Sequence, residues 1–284
     1  MSGGCPDKKE IVPLTREKEL HFKIGKSVYY LRDIFLGAGA IVFVVVVWHL
    51  LVRYGIIDNR LMPTPIKVVE TFIAKLTQAK PDGAILIVNI LSSFQVAFLG
   101  FLIAIAVVIA LGLFMAWYKP VDRFVRPLFE LIRPVSPIAW IPLMILLVGI
   151  GLKARLFIVF FAAFTPSVIN SYTGIKVVPQ PLLNVAKAFG ATSWQMFTRV
   201  AIPSALPYIF GGIKISLTYS WAVLVAAEML AANRGLGYMI LQGRQFFKPD
   251  LIIVGMLTIG LIGILLIAGI EKLEDIVLKR EKVD

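Results

Sequence analysis

Charged residues, histidine and cysteine are all scarce in this sequence of 284 residues. Only 16% of the residues are charged, whereas soluble domains usually carry about a quarter. The single cysteine, Cys5, excludes an intramolecular disulfide. The two histidines, His21 and His49, are too few for a histidine metal cluster or a conventional catalytic set. We therefore expect no metal site, no catalytic residue and no enzymatic activity in this chain.

Apolar residues, in contrast, make up 58% of the chain and form continuous blocks. Several blocks reach about twenty residues, which is the length needed to cross roughly 30 Å of hydrocarbon. They do not alternate apolar with polar residues, as the strands of a membrane barrel do. The sequence therefore predicts an all-α integral membrane protein with about six transmembrane helices. The predicted spans are Ile34–Val52, Ser92–Trp117, Pro137–Ile150, Leu156–Tyr172, Tyr208–Leu230 and Leu251–Ile270.

The spans define one predicted membrane domain, residues 33–279, with tails at 1–32 and 280–284. The first tail lacks the apolar run of a cleavable signal peptide, so we expect the first span to direct insertion. The connection Ile57–Pro81 predicts an amphipathic helix that lies on the outer surface or against the bundle. Its apolar face would be formed by Ile66, Val69, Phe72, Ile73 and Leu76.

The net charge of +12 is best explained by orientation in the membrane. With the N-terminus inside, the inner segments hold 18 Lys and Arg residues and the outer segments hold 10. This difference predicts that both termini are cytoplasmic. Lys214 falls within a span, and we expect its ammonium group to extend towards the cytoplasm. Membrane lipid is therefore an expected partner of the chain, and nucleic acid is not.

Between the fourth and fifth spans, the segment Asn184–Pro207 is polar enough to lie outside the membrane. Gly190 can take the left-handed conformation that ends a helix. Thr192 and Gln195 have the spacing of a capping box, which starts the next helix. Pro203 and Pro207 are expected to mark the turn into the fifth span. The sequence thus predicts two short helices joined at a glycine, either a docking element for a partner or an ordinary interfacial helix pair.

This segment resembles the cytoplasmic loop of ATP-binding-cassette (ABC) importer permeases, whose pattern is E-A-A, three residues, G, nine residues, I-x-L-P. Alignment on Gly190 places Asn184, Val185 and Ala186 on E-A-A, and Val200, Ile202 and Pro203 on I, L and P. Asn184 replaces the acidic residue and Val185 replaces an alanine. The resemblance implies a coupling loop at about residues 176–206 that inserts into an ATPase subunit. The implied coupling residues are Asn184, Ala186, Lys187, Gly190, Ala191, Thr192, Trp194 and Pro203.

The resemblance extends over about residues 59–279. Stretches such as RPVSPIAWIPLMILLVGIG, FTPSVINSYTGIK and VAAEMLAANRGLGYMI are similar to permeases for nitrate, bicarbonate, taurine and aliphatic sulfonates. This likeness implies the fold of a type I ABC importer permease in a bacterial inner membrane. It also implies the partners: ATP-binding subunits, a second permease copy or close relative, and an extracytoplasmic substrate-binding protein.

Energy for such transport has to come from another chain. The sequence contains no G-x-x-x-x-G-K-[ST] phosphate loop, so we expect no cofactor bound to this chain. ATP and Mg²⁺ would bind to the partner ATPase. A self-sufficient secondary transporter is the alternative of a different class, but it would need coupling-ion groups inside the membrane. The spans offer one carboxylate, Glu228, and no detectable inverted repeat.

The expected solute is a small oxyanion, namely nitrate, bicarbonate, or a sulfonate such as taurine. Pyrimidine-like and aromatic-acid solutes are the alternatives within the same family. Glu228 is expected to anchor the loop of Gly235 and Gly237, with a role in the wall or gate of the pathway as the alternative. Candidate residues of the translocation pathway are Ser136, Pro137, Trp140, Pro142, Asn170 and Glu228.

Overall fold

The structure is a computed structural model that describes residues 36–58 and 60–281. Every regular element in these two ranges is a helix, which confirms the all-α prediction. The predicted N-terminal tail, the start of the first span at Ile34, and residues 282–284 of the predicted C-terminal tail lie outside the described residues. The same holds for Cys5 and His21.

The chain divides into two compact units, Met1–Pro65 and Ile66–Asp284. The first unit contains helix α1, Leu36–Arg53, which corresponds to the first predicted span. The prediction of one membrane domain over residues 33–279 stays a prediction. Helix α2 begins at the boundary between the units, and the second unit holds all later helices. They are α2 (Pro65–Thr77), α3 (Leu86–Trp117), α4 (Lys119–Ile132), α5 (Pro137–Val148), α6 (Leu152–Lys176), α7 (Gln180–Ala188), α8 (Ser193–Ala231), α9 (Leu236–Gln245) and α10 (Pro249–Glu281).

Five of these helices are long and apolar enough to cross a membrane: α1, α3, α6, α8 and α10. A sixth span is formed only if α4 and α5 act as one broken span, since they meet at an angle of 83°. The third predicted span, Pro137–Ile150, is therefore shorter than expected. It consists of one 3₁₀ turn followed by eight α-helical residues that end at Val148.

The charged connection before this span is itself a helix, α4. Val121, Val125 and Phe129 recur every four residues and pack on the core, while Asp122 and Arg126 form an ion pair of 3.5 Å on another face. The chain bends after α4 because a residue that precedes a proline favours an extended backbone. Ser136, which precedes Pro137, has this conformation, with ψ of 134°.

The core of the second unit is built mainly between α6 and α8. Ser167 and Ser216 share a hydrogen bond of 2.7 Å across this interface. The Ser220 hydroxyl donates to the backbone carbonyl of Val159 over 3.2 Å. Small residues and side-chain hydrogen bonds of this kind hold helices together where lipid removes the hydrophobic drive between them.

Helix α8 runs without interruption for 39 residues, so the predicted turn at Pro203 and Pro207 is wrong. A proline removes one helical hydrogen bond, yet the remaining bonds can carry the helix past it. A π-helical turn, Phe197–Ala201, precedes Pro203 and widens the helix where the ring needs space. The fifth span and the second of the two predicted short helices are thus one element.

The predicted amphipathic helix is present as α2, but its buried side chains are Val68 and Lys75. The side chains of the predicted apolar face are 38–60% exposed. Polar contacts hold the other side of α2. The Thr71 hydroxyl donates to Asp250 over 2.6 Å, and Lys75 is bound to Asp82. These contacts fix which side of α2 lies against the rest of the unit.

Candidate functional site

The segment Gln180–Met196, which we call the elbow, turns sharply at Gly190. Gly190 has a φ of +78°, as predicted, and the turn that ends α7 is closed by two backbone hydrogen bonds. The amide of Gly190 donates to Lys187 over 3.0 Å, and the amide of Ala191 donates to Ala186 over 3.1 Å. This pair of bonds is a Schellman motif, in which the left-handed position favours glycine.

The predicted capping box is also present at the start of α8. The amide of Gln195 donates to Thr192 Oγ1 over 3.3 Å, and the amide of Thr192 donates to Gln195 Oε1 over 2.8 Å. Both ends of the elbow are thus closed by local hydrogen bonds, which makes it a rigid turn between two helices.

The elbow is exposed, although it carries apolar side chains. No residue of α7 is buried, Phe189 is 88% exposed and Trp194 is 55% exposed. Of the other predicted coupling residues, Asn184, Lys187, Gly190 and Thr192 are exposed, while Ala186, Ala191 and Pro203 are half-buried. Exposed apolar side chains on a rigid polar turn are typical of a surface that binds another protein.

The sequence analysis missed the residue that holds the elbow to the bundle, Phe197. Its ring is buried and lies 5.3 Å from the ring of Trp117 and 5.6 Å from that of Phe114, centroid to centroid. The indole N–H of Trp117 also donates to the Ser193 hydroxyl over 3.3 Å. The aromatic character of Phe197 was visible in the sequence, but its partners lie on α3, far away along the chain.

A cavity of about 960 Å³ lies among α6, α8, α10 and the bend between α4 and α5. It contains three of the predicted pathway residues, Ser136, Pro137 and Asn170. The amide group of Asn170 donates to the carbonyl of Pro166 over 2.8 Å, which fixes its orientation. The full lining is Arg133, Pro134, Val135, Ser136, Pro137, Thr165, Pro166, Ile169, Asn170, Lys214, Ile215, Thr218, Tyr219, Ala222, Ile267 and Glu271.

Charged groups of both signs lie at this cavity. Lys214 Nζ is 2.7 Å from Glu274 Oε2, so its ammonium pairs with a carboxylate of α10. Its direction towards the cytoplasm stays a prediction. Arg133 pairs at 3.5 Å with Glu130 on the exposed side of α4. The cavity can therefore present hydroxyl, amide and cationic donors to an anionic group.

Three other predicted pathway residues lie elsewhere. The ring of Trp140 packs against that of Phe161 at an interplanar angle of 39°, with centroids 4.9 Å apart, and Pro142 is exposed on α5. Glu228 is completely buried, and neither it nor these two residues belongs to the lining of the cavity.

Glu228 instead holds the chain that follows α8. Its Oε2 atom accepts hydrogen bonds from the Ser93 hydroxyl at 2.8 Å and from the amide of Gly237 at 2.9 Å. The second bond is the predicted contact with the glycine loop. Arg155 Nη1 lies 3.9 Å from Oε1, at the start of α6. This carboxylate therefore joins α3, α6, α8 and α9.

A second buried cluster continues this network. The ammonium of Lys75 donates to Asp82 and to the carbonyl of Ala84, and the amide group of Asn89 donates to Asp82 over 2.6 Å. Asn89 in turn accepts from the amide of Gly235 at 3.1 Å. Within residues 36–58 and 60–281, no group of three or more His, Cys, Asp and Glu side chains is arranged to hold a metal ion.

Comparison with known proteins identifies this architecture. The taurine transport system permease protein TauC of Escherichia coli is 32% identical over 246 residues, which cover 86% of this chain and 88% of that protein. The nitrate import permease protein NrtB of Synechocystis is 31% identical over 260 residues, covering 90% and 94%. A putative ABC transporter permease protein of Methanocaldococcus jannaschii is 37% identical over 232 residues, covering 81% and 86%.

Among solved structures, an inward-facing form of the MetNI methionine ABC transporter matches with a TM-score of 0.56 at 19% identity. The match covers 69% of this chain and 95% of that one, and it shows a shared fold. The helical bundle, the elbow and these relatives define an ABC permease of the importer class. The chain belongs to the family described as binding-protein-dependent transport system inner membrane component, which residues 108–283 match. It is a multi-pass inner membrane protein.

Proposed function

We propose that this chain is the permease subunit of an ATP-driven importer and that the elbow is its contact with an ATPase subunit. The observation that carries the proposal is the elbow itself, which is rigidly capped at Gly190 and Thr192 yet exposes Phe189 and Trp194. A capped turn that exposes apolar side chains away from the bundle suits insertion into a groove of a partner.

In this proposal the coupling residues have distinct roles. Gly190 makes the turn, and Ala191 and Thr192 lead into α8. Ala186 allows close approach of the partner, and the exposed side chains on either side make the contact. These contact residues are Asn184, Lys187 and Trp194, to which the structure adds Phe189. Pro203 lies in the part of α8 that follows the elbow.

The other subunits of the proposed importer are separate chains. ATP and Mg²⁺ bind to the ATPase subunits, because this sequence has no phosphate loop. A second permease copy or close relative completes the pathway, and an extracytoplasmic binding protein delivers the solute. ATP-driven closure of the ATPases draws the two elbows together and moves the bundles between inward-open and outward-open states.

The proposed solute is a small oxyanion such as nitrate, bicarbonate, taurine or another sulfonate. The names of the relatives TauC and NrtB support this class. The cavity supports it as well, since Ser136, Asn170 and Arg133 offer hydroxyl, amide and guanidinium donors. Trp140 and Pro142 lie outside this cavity, on the neighbouring helix α5, and stay proposed pathway residues. Glu228 would support the pathway from behind.

The proposed orientation places the elbow in the cytoplasm, with both termini on the same side. The excess of Lys and Arg in the inner segments supports this sidedness. It can be tested with single cysteines at Phe189 and Phe247 in a Cys5→Ser background, because both side chains are strongly exposed. A membrane-impermeant maleimide should label Phe247→Cys in intact cells and Phe189→Cys only after permeabilisation. The reverse pattern would overturn the orientation.

Reconstitution tests the function. The chain is placed in liposomes with and without the ATPase subunit and the binding protein of the same system. Radiolabelled nitrate, bicarbonate, taurine and an alkanesulfonate are then offered separately. We expect uptake of one oxyanion that requires both partners and ATP. Uptake by the chain alone, driven by a proton or sodium gradient, would show a secondary transporter and contradict the proposal.

A further inference from the structure

Two helices of this chain end in the same backbone motif, but with very different residues at the critical position. At the end of α7 that position is Gly190, as described above. At the end of α9 it is Phe247, which has a φ of +52°. Here the amide of Phe247 donates to Arg244 over 3.3 Å, and the amide of Lys248 donates to Gly243 over 2.8 Å. A bulky side chain with positive φ is a strained exception, because its Cβ crowds the backbone.

Packing within the second unit does not compensate this strain. The side chain of Phe247 is 91% exposed, and that of its neighbour Phe246 is 53% exposed. Phe247 is the only non-glycine residue with positive φ in the described ranges. The end of α9 requires a left-handed residue here, which glycine would supply without strain, but it does not require an aromatic one. Strained residues of this kind are more often found where a protein meets a ligand or partner.

The surroundings of Phe247 are basic. We call the exposed residues Arg244, Phe246, Phe247 and Lys248 the hairpin tip, since they join α9 to α10. Beside the tip, between α2 and the start of α10, lies a cleft of about 190 Å³. Its charged lining residues are Lys67, Lys75, Lys80, Lys248 and Asp250. Asp250 already accepts a hydrogen bond from Thr71, and Lys75 is buried against Asp82.

The hairpin tip lies at the end of the bundle remote from the elbow. Helix α8 begins within the elbow and runs 39 residues before the chain turns into α9. Gly243 on α9 packs against Ile252 near the start of α10, and Ile240 packs against Gly255 one turn further on. The tip is therefore the outermost part of the α9–α10 hairpin, with its aromatic rings directed away from the packed core.

We propose that the hairpin tip is the docking site for an acidic face of the extracytoplasmic solute-binding protein, with the Phe247 ring inserted into an apolar recess of that protein. This inference rests on the proposed function, and the family to which the chain belongs is one of binding-protein-dependent systems. Aromatic residues and arginine are enriched in protein interfaces, and Phe247 and Arg244 fit that composition. Acidic groups on the partner would pair with Lys248, Lys80 and Arg244 and speed association.

A lipid surface is the competing occupant, and the backbone at Phe247 argues against it. Lipid headgroups accept an aromatic ring from any backbone conformation, so insertion into lipid needs no left-handed residue. A fixed, strained position presents the ring in one direction, which lowers the ordering cost of binding to a recess of defined shape.

The decisive variant is Phe247→Gly, which relieves the strain and removes the ring at once. Glycine at this position should maintain or raise the melting temperature of the purified permease. In liposomes that also hold the ATPase, the concentration of binding protein needed for half-maximal uptake should rise by at least about tenfold. ATP hydrolysis without binding protein should be unchanged. Phe124→Ala, at a 75% exposed site on α4, is the matched control and should behave as the parent.

A photo-crosslinking benzoylphenylalanine in place of Phe247 identifies the occupant directly in cells. The proposal expects a crosslinked product with the solute-binding protein, weakened by Lys248→Glu. Crosslinks to lipid only, or an unchanged half-maximal concentration for Phe247→Gly, would overturn it. If the parent shows no ATP-dependent uptake at all, the proposed function fails instead, and the crosslinked species still decides what covers the tip.

Discussion

Gly235 lies so close to Glu228 that a Cβ atom built on its backbone would be 2.5 Å from the carboxyl carbon. Gly235 also has a φ of +129°, which side chains rarely adopt. The carboxylate and the glycine therefore fit together as one unit, with the amide of Gly237 donating from the next turn. This contact closes the chain between α8 and α9 within the bundle.

The first prediction concerns this carboxylate. Glu228→Ala leaves the Ser93 hydroxyl and the Gly237 amide without their acceptor, and Arg155 without its charged neighbour. We expect a loss of about 2–4 kcal/mol in stability. Glu228→Gln keeps a carbonyl oxygen for both donors and should lose less. Gel filtration of heated, detergent-solubilised protein measures the melting temperatures. We expect the parent to be the most stable protein, followed by Glu228→Gln and then Glu228→Ala. Equal melting temperatures of Glu228→Ala and the parent would contradict the prediction.

The second prediction concerns the buried pair of Lys75 and Asp82, both of which are almost completely inaccessible. Asp82→Asn leaves a buried ammonium without its counter-charge, which costs about 3–5 kcal/mol. Lys75→Met in the same chain removes the stranded charge and should recover part of the loss. The measurement is expression and thermal stability of the parent and the two variants. The pair is unimportant if the single variant is as stable as the double variant and the parent.

The third prediction concerns Lys214 and Glu274, which join α8 to α10 beside the cavity. The pair is partly exposed, so its contribution to stability should be only about 1 kcal/mol. The effect of this pair on the affinity for an anionic solute should be larger than its effect on stability. Glu274→Gln removes the carboxylate that is hydrogen-bonded to Lys214 and should lower the half-saturating solute concentration, while Lys214→Met should raise it. Solute-concentration curves of ATP-dependent uptake measure both, and shifts in the same direction would exclude this charge effect.

The fourth prediction concerns the elbow. A Cβ at Gly190 would meet no atom within 4 Å, so Gly190→Val acts only through the backbone, where a β-branched residue costs roughly 1–2 kcal/mol. The turn should open and release the ATPase, while the spans still insert. Ala186→Asp should weaken the same contact by placing an unpaired charge within it. Co-purification of the ATPase and ATP-dependent uptake are the measurements.

Gly260→Val is the matched control for this prediction. Gly260 also has open space around its α-carbon, but it lies in α10 with ordinary helical φ. This variant should retain the ATPase and transport. If Gly190→Val and Ala186→Asp express, hold the ATPase and transport as the parent does, the elbow is an interfacial helix pair only.

Features that depend on neighbouring residues could be predicted from the sequence. The glycine turn at Gly190 and the capping box of Thr192 and Gln195 involve groups three to five residues apart, and the structure contains both. The apolar runs similarly fix where helices can cross a membrane. Ser136 and Asn170, predicted pathway residues whose side chains can hydrogen-bond an oxyanion, both line the cavity.

Features that depend on distant residues could not be predicted in this way. Lys214 and Glu274 are 60 residues apart, and only the packing of α8 against α10 makes them a pair. The 83° angle between α4 and α5 depends on which face of each helix finds a neighbour. The exposure of Phe247 could not be predicted either, because the sequence QFFKPD does not indicate whether its phenylalanines are buried or exposed.

Because α8 is continuous, a tilt at the elbow would displace the opposite end of the helix. At 1.5 Å per residue, its 39 residues form a rod of roughly 58 Å, with the elbow at one end and Glu228 near the other. A tilt of about 10° imposed at the elbow would carry the opposite end through roughly 10 Å if the rod stayed straight. Because Glu228 is bonded to Ser93 and Gly237, α3 and α9 would be pulled along with it. A small tilt of α8 at the elbow would thus become a displacement of several ångströms at the end that holds Glu228.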